Sequence, residues 1–104
     1  MIRKQILLQA KIFKGFADTS RLLILTSLSK KSKTVTEIVE ETTLSQPNTS
    51  AHLACLVECG LIQKEKKGRE VFYEITEKEV GQIISQVQNI LKKHSKEIYN
   101  CLKY

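Results

Sequence analysis

The segment from Leu44 to Ile62 most constrains the fold, because both of its ends carry helix boundary signals. Ser45 is a favourable N-cap, and Pro47 is tolerated in a first turn, where backbone amides have no partner within the helix. Gly60 can adopt the left-handed conformation that ends a helix. The apolar residues between these signals form one narrow stripe, Leu53, Leu56 and Val57. The segment therefore predicts a short helix with one inward face.

The first turns of this helix carry small polar side chains: Gln46, Asn48, Thr49, Ser50 and His52. Side chains of this kind can enter the major groove of DNA and bond base edges or phosphates. Upstream, Thr36 with Glu37 predicts the start of a shorter helix over residues 37–41, followed by a tight turn. Two short helices joined by a turn, with the second polar at its start, are typical of a helix-turn-helix.

Two further helices are predicted before this motif. Apolar residues recur at helical spacing near the N-terminus, and the helix should run to about Lys14 and stop at Gly15. Its apolar positions are Ile2, Ile6, Leu7, Ala10 and Phe13. Asp18 or Thr19 then predicts the N-cap of a second helix. That helix is more apolar than one face requires, which indicates a buried central helix; its apolar positions are Leu22, Leu23, Ile24, Leu25 and Leu28.

After Gly60 the sequence pattern changes from helical to alternating. Residues 61–66 and 70–75 predict two strands, and Lys67-Gly68-Arg69 predicts the turn between them. The hairpin would form a wing beside the helix-turn-helix. Its cations could lie along a phosphate backbone, a contact that salt would weaken; they are Lys64, Lys66, Lys67 and Arg69. An ordinary solvated hairpin tip is the alternative.

Thr76, which is followed by the acidic residues Glu77 and Glu79, is predicted to be the N-cap of a long final helix. Its apolar stripe is longer than a small core needs, which favours a subunit interface with the first helix beside it. The stripe consists of Val80, Ile83, Ile84, Val87, Ile90, Leu91, Ile98 and Leu102. The predicted fold is mostly α with a small β-hairpin (α+β). It is a single winged helix-turn-helix domain over residues 1–104, forming a homodimer through its first and last helices.

The charge balance favours a polyanionic partner. Seventeen Lys and Arg against eleven Asp and Glu give a net charge of +6 and a pI near 9.3, although a basic surface without a nucleic-acid partner would have the same balance. The sequence has no long apolar run and no signal-peptide pattern at residues 1–4. We therefore expect a cytoplasmic protein that binds double-stranded DNA and no membrane.

Three cysteines, an odd number, argue against a disulfide framework. Cys55 and Cys59 are four residues apart, which places their side chains on one helix face with Cβ atoms about 5–6 Å apart. Two thiolates so placed can bind one soft metal ion. Redox sensing and simple core filling are the alternatives for this pair. A thiol enzyme is not indicated, because nothing in so small a chain suggests a pocket with an activated cysteine beside a base.

From about Ile6 to Leu91 the chain resembles the ArsR/SmtB family of winged-helix, metal-responsive repressors. The similar stretches are residues 15–25 (GFADTSRLLIL), 50–56 (SAHLACL), 59–62 (CGLI) and 68–73 (GREVFY). The resemblance implies a homodimeric transcriptional repressor that binds operator DNA when metal-free, is released when metal binds, and controls metal efflux or resistance genes.

The resemblance also indicates which metal site to expect. The family's Cys-x-Cys site near the third helix has no counterpart in residues 33–37, and His94 with Glu97 matches only half of its C-terminal zinc site. The remaining pattern is similar to the CmtR/CadC-like cadmium and lead sensors, which implies Cys55, Cys59 and Cys101 as ligands. Three thiolates suit Cd(II) or Pb(II), and also As(III), whereas Zn(II) prefers a fourth ligand. An As(III)-sensing or thiol-redox repressor on the same scaffold is the alternative.

Overall fold

The computed structural model describes residues 2–101, which form five helices and one β-hairpin. The elements are α1 (Ile2–Phe16), α2 (Thr19–Leu28), α3 (Val35–Thr42), α4 (Gln46–Glu58), β1 (Ile62–Lys67), β2 (Glu70–Ile75) and α5 (Lys78–Tyr99). This is the winged helix-turn-helix predicted from the sequence, so the predicted fold class is confirmed. None of the helices in this part of the chain is long and apolar enough to cross a membrane.

The core lies where α2 meets the helix-turn-helix and the base of the hairpin. Its fully buried side chains include Ile24, Leu25, Ile38, Leu53, Leu56 and Ile62. α2 is central, as predicted, but it is not buried on every side. Leu22 is 37% exposed and Leu23 is 41% exposed. Part of the apolar surface of α2 thus remains uncovered in a single chain.

The helix starts follow from side chains that accept hydrogen bonds from backbone amides. The Asp18 carboxylate accepts from Arg21 N at 3.1 Å, which confirms it as the N-cap of α2. α3 begins two residues earlier than predicted because Thr34 and Glu37 form a capping box. The Thr34 hydroxyl accepts from Glu37 N at 3.2 Å, and the Glu37 carboxylate accepts from Thr34 N at 3.0 Å. The prediction that Thr36 starts this helix was wrong.

Both predicted ends of α4 are confirmed. The Ser45 hydroxyl accepts from Asn48 N at 3.2 Å. At the other end Gly60 has φ +78°. Leu61 N donates to Leu56 O at 3.1 Å, and Gly60 N donates to Val57 O at 3.0 Å. This is the hydrogen-bond pattern in which a left-handed glycine satisfies the last helix carbonyls.

The wing is a two-stranded antiparallel hairpin with a two-residue loop, Gly68-Arg69, since Lys67 pairs with Glu70. Gly68 has φ +64°, a conformation that favours glycine. A short segment at Lys33 extends the sheet on the other side of β2. Lys33 N donates to Tyr73 O at 3.0 Å, and Tyr73 N donates to Lys33 O at 2.8 Å. The local sequence shows no strand pattern there, because a bridge of one residue has no alternation.

α5 begins after Glu77, which makes no side-chain cap hydrogen bond. Thr76 does not cap it as predicted, because its hydroxyl donates to Gly60 O at 2.7 Å and joins the end of α4 to the end of the hairpin. His94 has non-helical angles, φ −130° and ψ 26°, so α5 is kinked there. The predicted stripe position Leu102 lies outside the described residues.

α1 continues past Gly15 to Phe16, so the predicted stop at Gly15 was wrong. Gly15 is buried because α1 passes close to the C-terminal end of α4: a Cβ atom there would lie 2.5 Å from Leu61 Cδ1. The Arg21 guanidinium closes this end of α1 by donating to Lys14 O at 2.8 Å and to Gly15 O at 3.2 Å. The glycine therefore marks a close approach of two elements instead of a helix end.

Candidate nucleic-acid interface and thiol site

The outward face of α4 carries polar side chains at its N-terminal end and small side chains further along. The predicted contact residues Gln46, Asn48 and Ser50 are all exposed in its first turns. Ala51 and Ala54 continue the exposed face toward the C-terminus. Short side chains at these positions let a helix backbone approach a duplex closely. This face can therefore meet a major groove without rearrangement of the core behind it.

Two other residues predicted to contact DNA point elsewhere. Thr49 is 0% exposed, and its hydroxyl donates to Ser45 O at 2.8 Å. Its position contradicts a base contact, because the helical period places residue 49 on the same inward face as Leu53. His52 is partly buried, and its Nε2 lies 3.9 Å from Asp18 Oδ2 at the start of α2. His52 therefore faces another helix as well as the rim of the recognition surface.

The Asp18 carboxylate at this contact has a lowered pKa. The main cause is its hydrogen bond from the backbone of Arg21, and the charges of Arg21 and His52 contribute less. The carboxylate therefore remains ionised at neutral pH. The contact joins the first turns of α2 to the middle of the recognition helix.

The four predicted wing cations are exposed: Lys64, Lys66, Lys67 and Arg69. Lys64 pairs with Tyr73 near the base of the hairpin, whereas the other three surround the loop. Lys67 Nζ lies 5.3 Å from the centre of the Phe72 ring, an interaction that holds this ammonium group beside the loop. The tip can therefore present three positive charges to a phosphate backbone.

Cys55 in the C-terminal half of α4 and Cys59 at its C-cap are neighbours, as their spacing predicts. Cys59 N donates to Cys55 O at 3.0 Å; Cys55 is partly buried and Cys59 is exposed. Partial burial raises the pKa of the Cys59 thiol, and the charge and side-chain hydrogen bond of Cys55 raise it further. The nearby Arg21 opposes this shift. Metal binding at these sulfurs would displace thiol protons and would therefore weaken as the pH falls.

The two thiols open into a groove of about 670 Å³ between α1, α2 and α4. Its apolar wall is formed by Leu8 and Ile12 of α1. The charged groups around it are Lys11, Lys14, Arg21 and Glu58. The apolar stripe predicted for α1 omitted both wall residues, although their spacing of four residues was a usable signal. Nothing in the local sequence indicated that Arg21 would lie here.

Cys101 lies just beyond α5 and is partly buried. Among residues 2–101, no three His, Cys, Asp or Glu side chains come close enough together to hold a metal ion. Within one chain, the described residues thus bring Cys55 and Cys59 together without adding Cys101. Two sulfurs of the predicted three-thiolate site are adjacent, and a third ligand would have to come from elsewhere.

Sequence reasoning also missed an ion pair behind the helix-turn-helix, between the buried Lys33 and the exposed Glu41. Lys33 is 5% exposed, and its ammonium group donates to the Glu41 carboxylate and, at 2.6 Å, to Ser27 O. The Ser27 hydroxyl donates to the same carboxylate at 3.0 Å. The network joins α2, α3 and the segment that pairs with the wing. In the sequence, Lys33 is one of three lysines within the polar segment 29–33, and nothing distinguishes it from the other two.

Comparison with known proteins gives a consistent result. Residues 18–64 match the profile of the bacterial regulatory protein, arsR family. The chain is 36% identical over 75 residues to the arsenical resistance operon repressor of Bacillus subtilis, covering 71% of each protein. It is 33% identical over 75 residues to the probable mercury resistance operon repressor of Streptomyces lividans, covering 72% of this chain and 60% of that protein.

A solved structure extends the match to most of the chain. It is the homodimeric winged helix-turn-helix DNA-binding domain of a possible ArsR-family regulator from Mycobacterium bovis, with a TM-score of 0.81 and 25% identity. The alignment covers 91% of this chain and 88% of that one.

The exposed face of α4 beside a basic hairpin defines a winged helix-turn-helix DNA-binding regulator. The profile and the relatives are more specific: the chain belongs to the ArsR family. The family is one of bacterial regulatory proteins, which agrees with the DNA-binding fold.

Proposed function

We propose that the protein is a homodimeric repressor whose release from operator DNA is triggered by Cd(II) or Pb(II) bound to cysteine thiolates. The observation that supports this most directly is the position of Cys55 and Cys59. They lie in the last turn and at the C-cap of α4, the same helix whose N-terminal turns present Gln46, Asn48 and Ser50. A ligand at the thiols would act on the recognition helix itself, so no long path between the two sites is needed.

In DNA binding, the N-terminal turns of α4 read base edges and the wing tip contacts phosphates. Lys66, Lys67 and Arg69 supply the sequence-independent part of the affinity. A second copy would place a second α4 on the same duplex, about one helical turn away. The homodimeric state of the similar domain from Mycobacterium bovis supports this arrangement, as do the exposed apolar side chains of α1 and α5.

The described residues supply part of a ligand set for a soft metal ion. Cys55 and Cys59 supply two adjacent sulfurs, and Cd(II) and Pb(II) favour thiolate ligands. Since Cys101 does not join them within one chain, we propose that Cys101 of the second subunit supplies the third thiolate. The kink at His94 changes the direction of the last part of α5. Relatives named for arsenic and mercury resistance support a soft inducer without selecting among such ions.

Metal and DNA would then be linked reciprocally. If metal lowers operator affinity, operator DNA must lower metal affinity by the same factor, ordinarily about 5- to 150-fold. Control of metal-efflux or resistance genes follows by analogy with the relatives.

The experiment that tests this is an anaerobic titration of the reduced protein with Cd(II). Two signals are followed together: ultraviolet absorbance of the thiolate–metal bond and release of labelled operator DNA. The expected result is a stoichiometric end point in both signals, lost in Cys55→Ser and Cys59→Ser and weakened in Cys101→Ser. Mixing Cys55→Ser/Cys59→Ser subunits with Cys101→Ser subunits should restore one site per mixed dimer if the third thiolate comes across the interface. If DNA stays bound at metal saturation, the proposal fails.

A further inference from the structure

Lys33 is a buried cation between the wing and the helices behind it. We propose that Lys33 is a positioning residue for DNA binding: its ammonium group, bonded to α2 and α3, sets the direction of the wing so that the hairpin tip and α4 contact one duplex together. Lys33 itself does not reach DNA, since it is 5% exposed. The inference rests on the proposed function only in taking the wing tip as a phosphate contact, and it is independent of the inducing ligand.

The side chain of Lys33 has a complete set of hydrogen bonds. Its ammonium group donates to Ser27 O at 2.6 Å, to the Ser27 hydroxyl at 3.1 Å and to the Glu41 carboxylate. An ammonium group has three protons, so each of them has an acceptor. Ser27 belongs to α2 and Glu41 belongs to α3. The ammonium group is therefore held from two helices at once, and any shift of Lys33 would break bonds at a buried side chain.

The backbone of the same residue is bonded to the wing. Lys33 N donates to Tyr73 O at 3.0 Å, and Tyr73 N donates to Lys33 O at 2.8 Å. Among residues 2–101, this is the one β-bridge that joins the hairpin to a segment outside it. A hairpin of two strands has little stability of its own, so its direction depends on what its base is attached to. Lys33 thus connects the wing to α2 and α3 within a single residue.

The place of the bridge makes the tip sensitive to it. Tyr73 pairs with Lys64 near the base of the hairpin, and Lys67 pairs with Glu70 on either side of the loop. The three residues between Tyr73 and Glu70 span about 10 Å of strand. A small rotation at the bridge therefore becomes a larger displacement at the tip. Contacts between cations and phosphates are lost by such displacements, because charge-assisted hydrogen bonds need donor–acceptor distances of about 2.7–2.9 Å.

Stability alone does not explain an ion pair at this position. Replacing a buried charge and its partner by apolar groups of similar size is often neutral or stabilising. Hydrogen bonds add direction, because three of them fix the ammonium group in one place, whereas an apolar contact allows sliding. Lys33→Met keeps an unbranched side chain and should therefore remain folded. The Glu41 side chain, which is 43% exposed, keeps its access to water in this variant.

The test is a double-mutant cycle in which Lys33→Met and Arg69→Gln are made singly and together. Affinity for operator DNA is measured by fluorescence anisotropy over a range of salt concentrations, without added metal. Arg69→Gln should weaken binding by the wild type about three- to tenfold, through loss of a phosphate contact. In the Lys33→Met background the same change should weaken binding by less than about twofold, because the tip no longer lies at the phosphates. Lys33→Met alone should lower the slope of log affinity against log salt, although Lys33 is buried.

Lys31→Met is the matched control, since it removes the same charge from an exposed residue two positions away. It should leave the effect of Arg69→Gln unchanged. Circular dichroism and thermal unfolding report the fold of each variant. A smaller folded fraction would lower binding equally with and without the Arg69 side chain, so it does not imitate the expected loss of coupling. If Lys33→Met does not fold, Glu41→Gln weakens one acceptor while keeping its shape, and it should reduce the effect of Arg69→Gln in the same direction.

The possible outcomes separate this proposal from the proposed function. An effect of Arg69→Gln that is the same in the wild-type and Lys33→Met backgrounds would overturn the role of Lys33 and leave the wing contact intact. An Arg69→Gln change without effect in the wild type would show that the tip does not contact phosphates, and it would reject the wing contact and the role of Lys33 together.

Discussion

At the scale of single residues, the most consequential charge lies behind the DNA-reading surface. Glu41 on α3 accepts hydrogen bonds from Lys33 and Ser27, and these hold the pKa of its carboxyl below the ordinary value of 4.5. Lys33 is buried, whereas the Glu41 side chain is 43% exposed. Removing the lysine's charged partner would therefore leave a cation with few other acceptors. This contact joins α3 to the residue that pairs with Tyr73 of the wing.

The free energy of unfolding of the Glu41→Gln variant should depend less on pH in the acidic range than that of the wild type. Because the folded pKa is depressed, the carboxylate stabilises the fold above about pH 4.5, and that contribution is lost as the pH falls through the folded pKa. The urea midpoint of the variant should therefore lie below that of the wild type at about pH 7, and the two should converge toward about pH 3. Glu40→Gln, which removes the same charge from an exposed neighbour, serves as control. A gap that stays constant with pH would contradict the linkage.

At the scale of elements, local sequence signals predicted most of the fold. Ser45 and Gly60 fixed both ends of α4, because caps depend on residues within one turn. The hairpin also formed within one residue of its predicted bounds. The failures involve contacts between distant segments. Gly15 resembled a helix end but accommodates Leu61, and Thr76 resembled a cap but bonds to Gly60.

In the candidate site, too, the features that depend on local spacing were predicted, and those that depend on contacts between distant segments were not. The outward positions on α4 and the pairing of Cys55 with Cys59 follow from helical spacing alone. Thr49 was misplaced because small polar residues were assigned to DNA without regard to the inward face that the same period defines. The groove required knowledge of how α1 crosses α4, which no local pattern contains. The buried role of Lys33 was equally hidden, because it depends on acceptors from α2 and α3.

The wing should contribute affinity without sequence preference. Arg69→Gln combined with Lys66→Gln removes two exposed charges near the loop while leaving the strand pairing unchanged. Operator and random-sequence DNA should be weakened by similar factors, and the slope of log affinity against log salt should fall by about one per lost phosphate contact. Lys92→Gln, on the exposed side of α5, is the charge-matched control. An unchanged salt slope would show that the wing tip does not contact phosphates.

At the scale of the whole molecule, the distribution of apolar surface indicates that one chain is incomplete. On α5, Val87, Ile90 and Leu91 are each about half exposed, and α1 exposes Phe13. An apolar groove of about 390 Å³ runs between α1, α2 and α5, with Phe13, Leu22, Ile83 and Leu91 in its walls. Exposed apolar surface that is continuous across several elements is typical of a subunit interface. The core of a single chain does not require an α5 of this length.

The dimer proposal predicts that one charge on this surface separates the subunits. Ile90→Glu would have to bury a carboxylate without a designed partner, so the dimer dissociation constant should rise by at least about 100-fold. Sedimentation velocity across a concentration series measures this change. Circular dichroism should show a folded chain, since Ile90 is 54% exposed and lies outside the core cluster.

Asn89→Glu places the same charge at the preceding residue, which helical geometry turns away from the apolar stripe. It should leave the dimer intact. Measuring operator binding by both variants separates the effect of the added charge from the effect of dimer loss. Both variants add one negative charge, but only Ile90→Glu should lose the joint occupation of two half-sites. Equal loss of operator affinity in the two variants would assign the effect to charge. An Ile90→Glu protein that still sediments as a dimer would place the interface elsewhere and would leave Cys101 without its proposed route to the thiol pair of a second subunit.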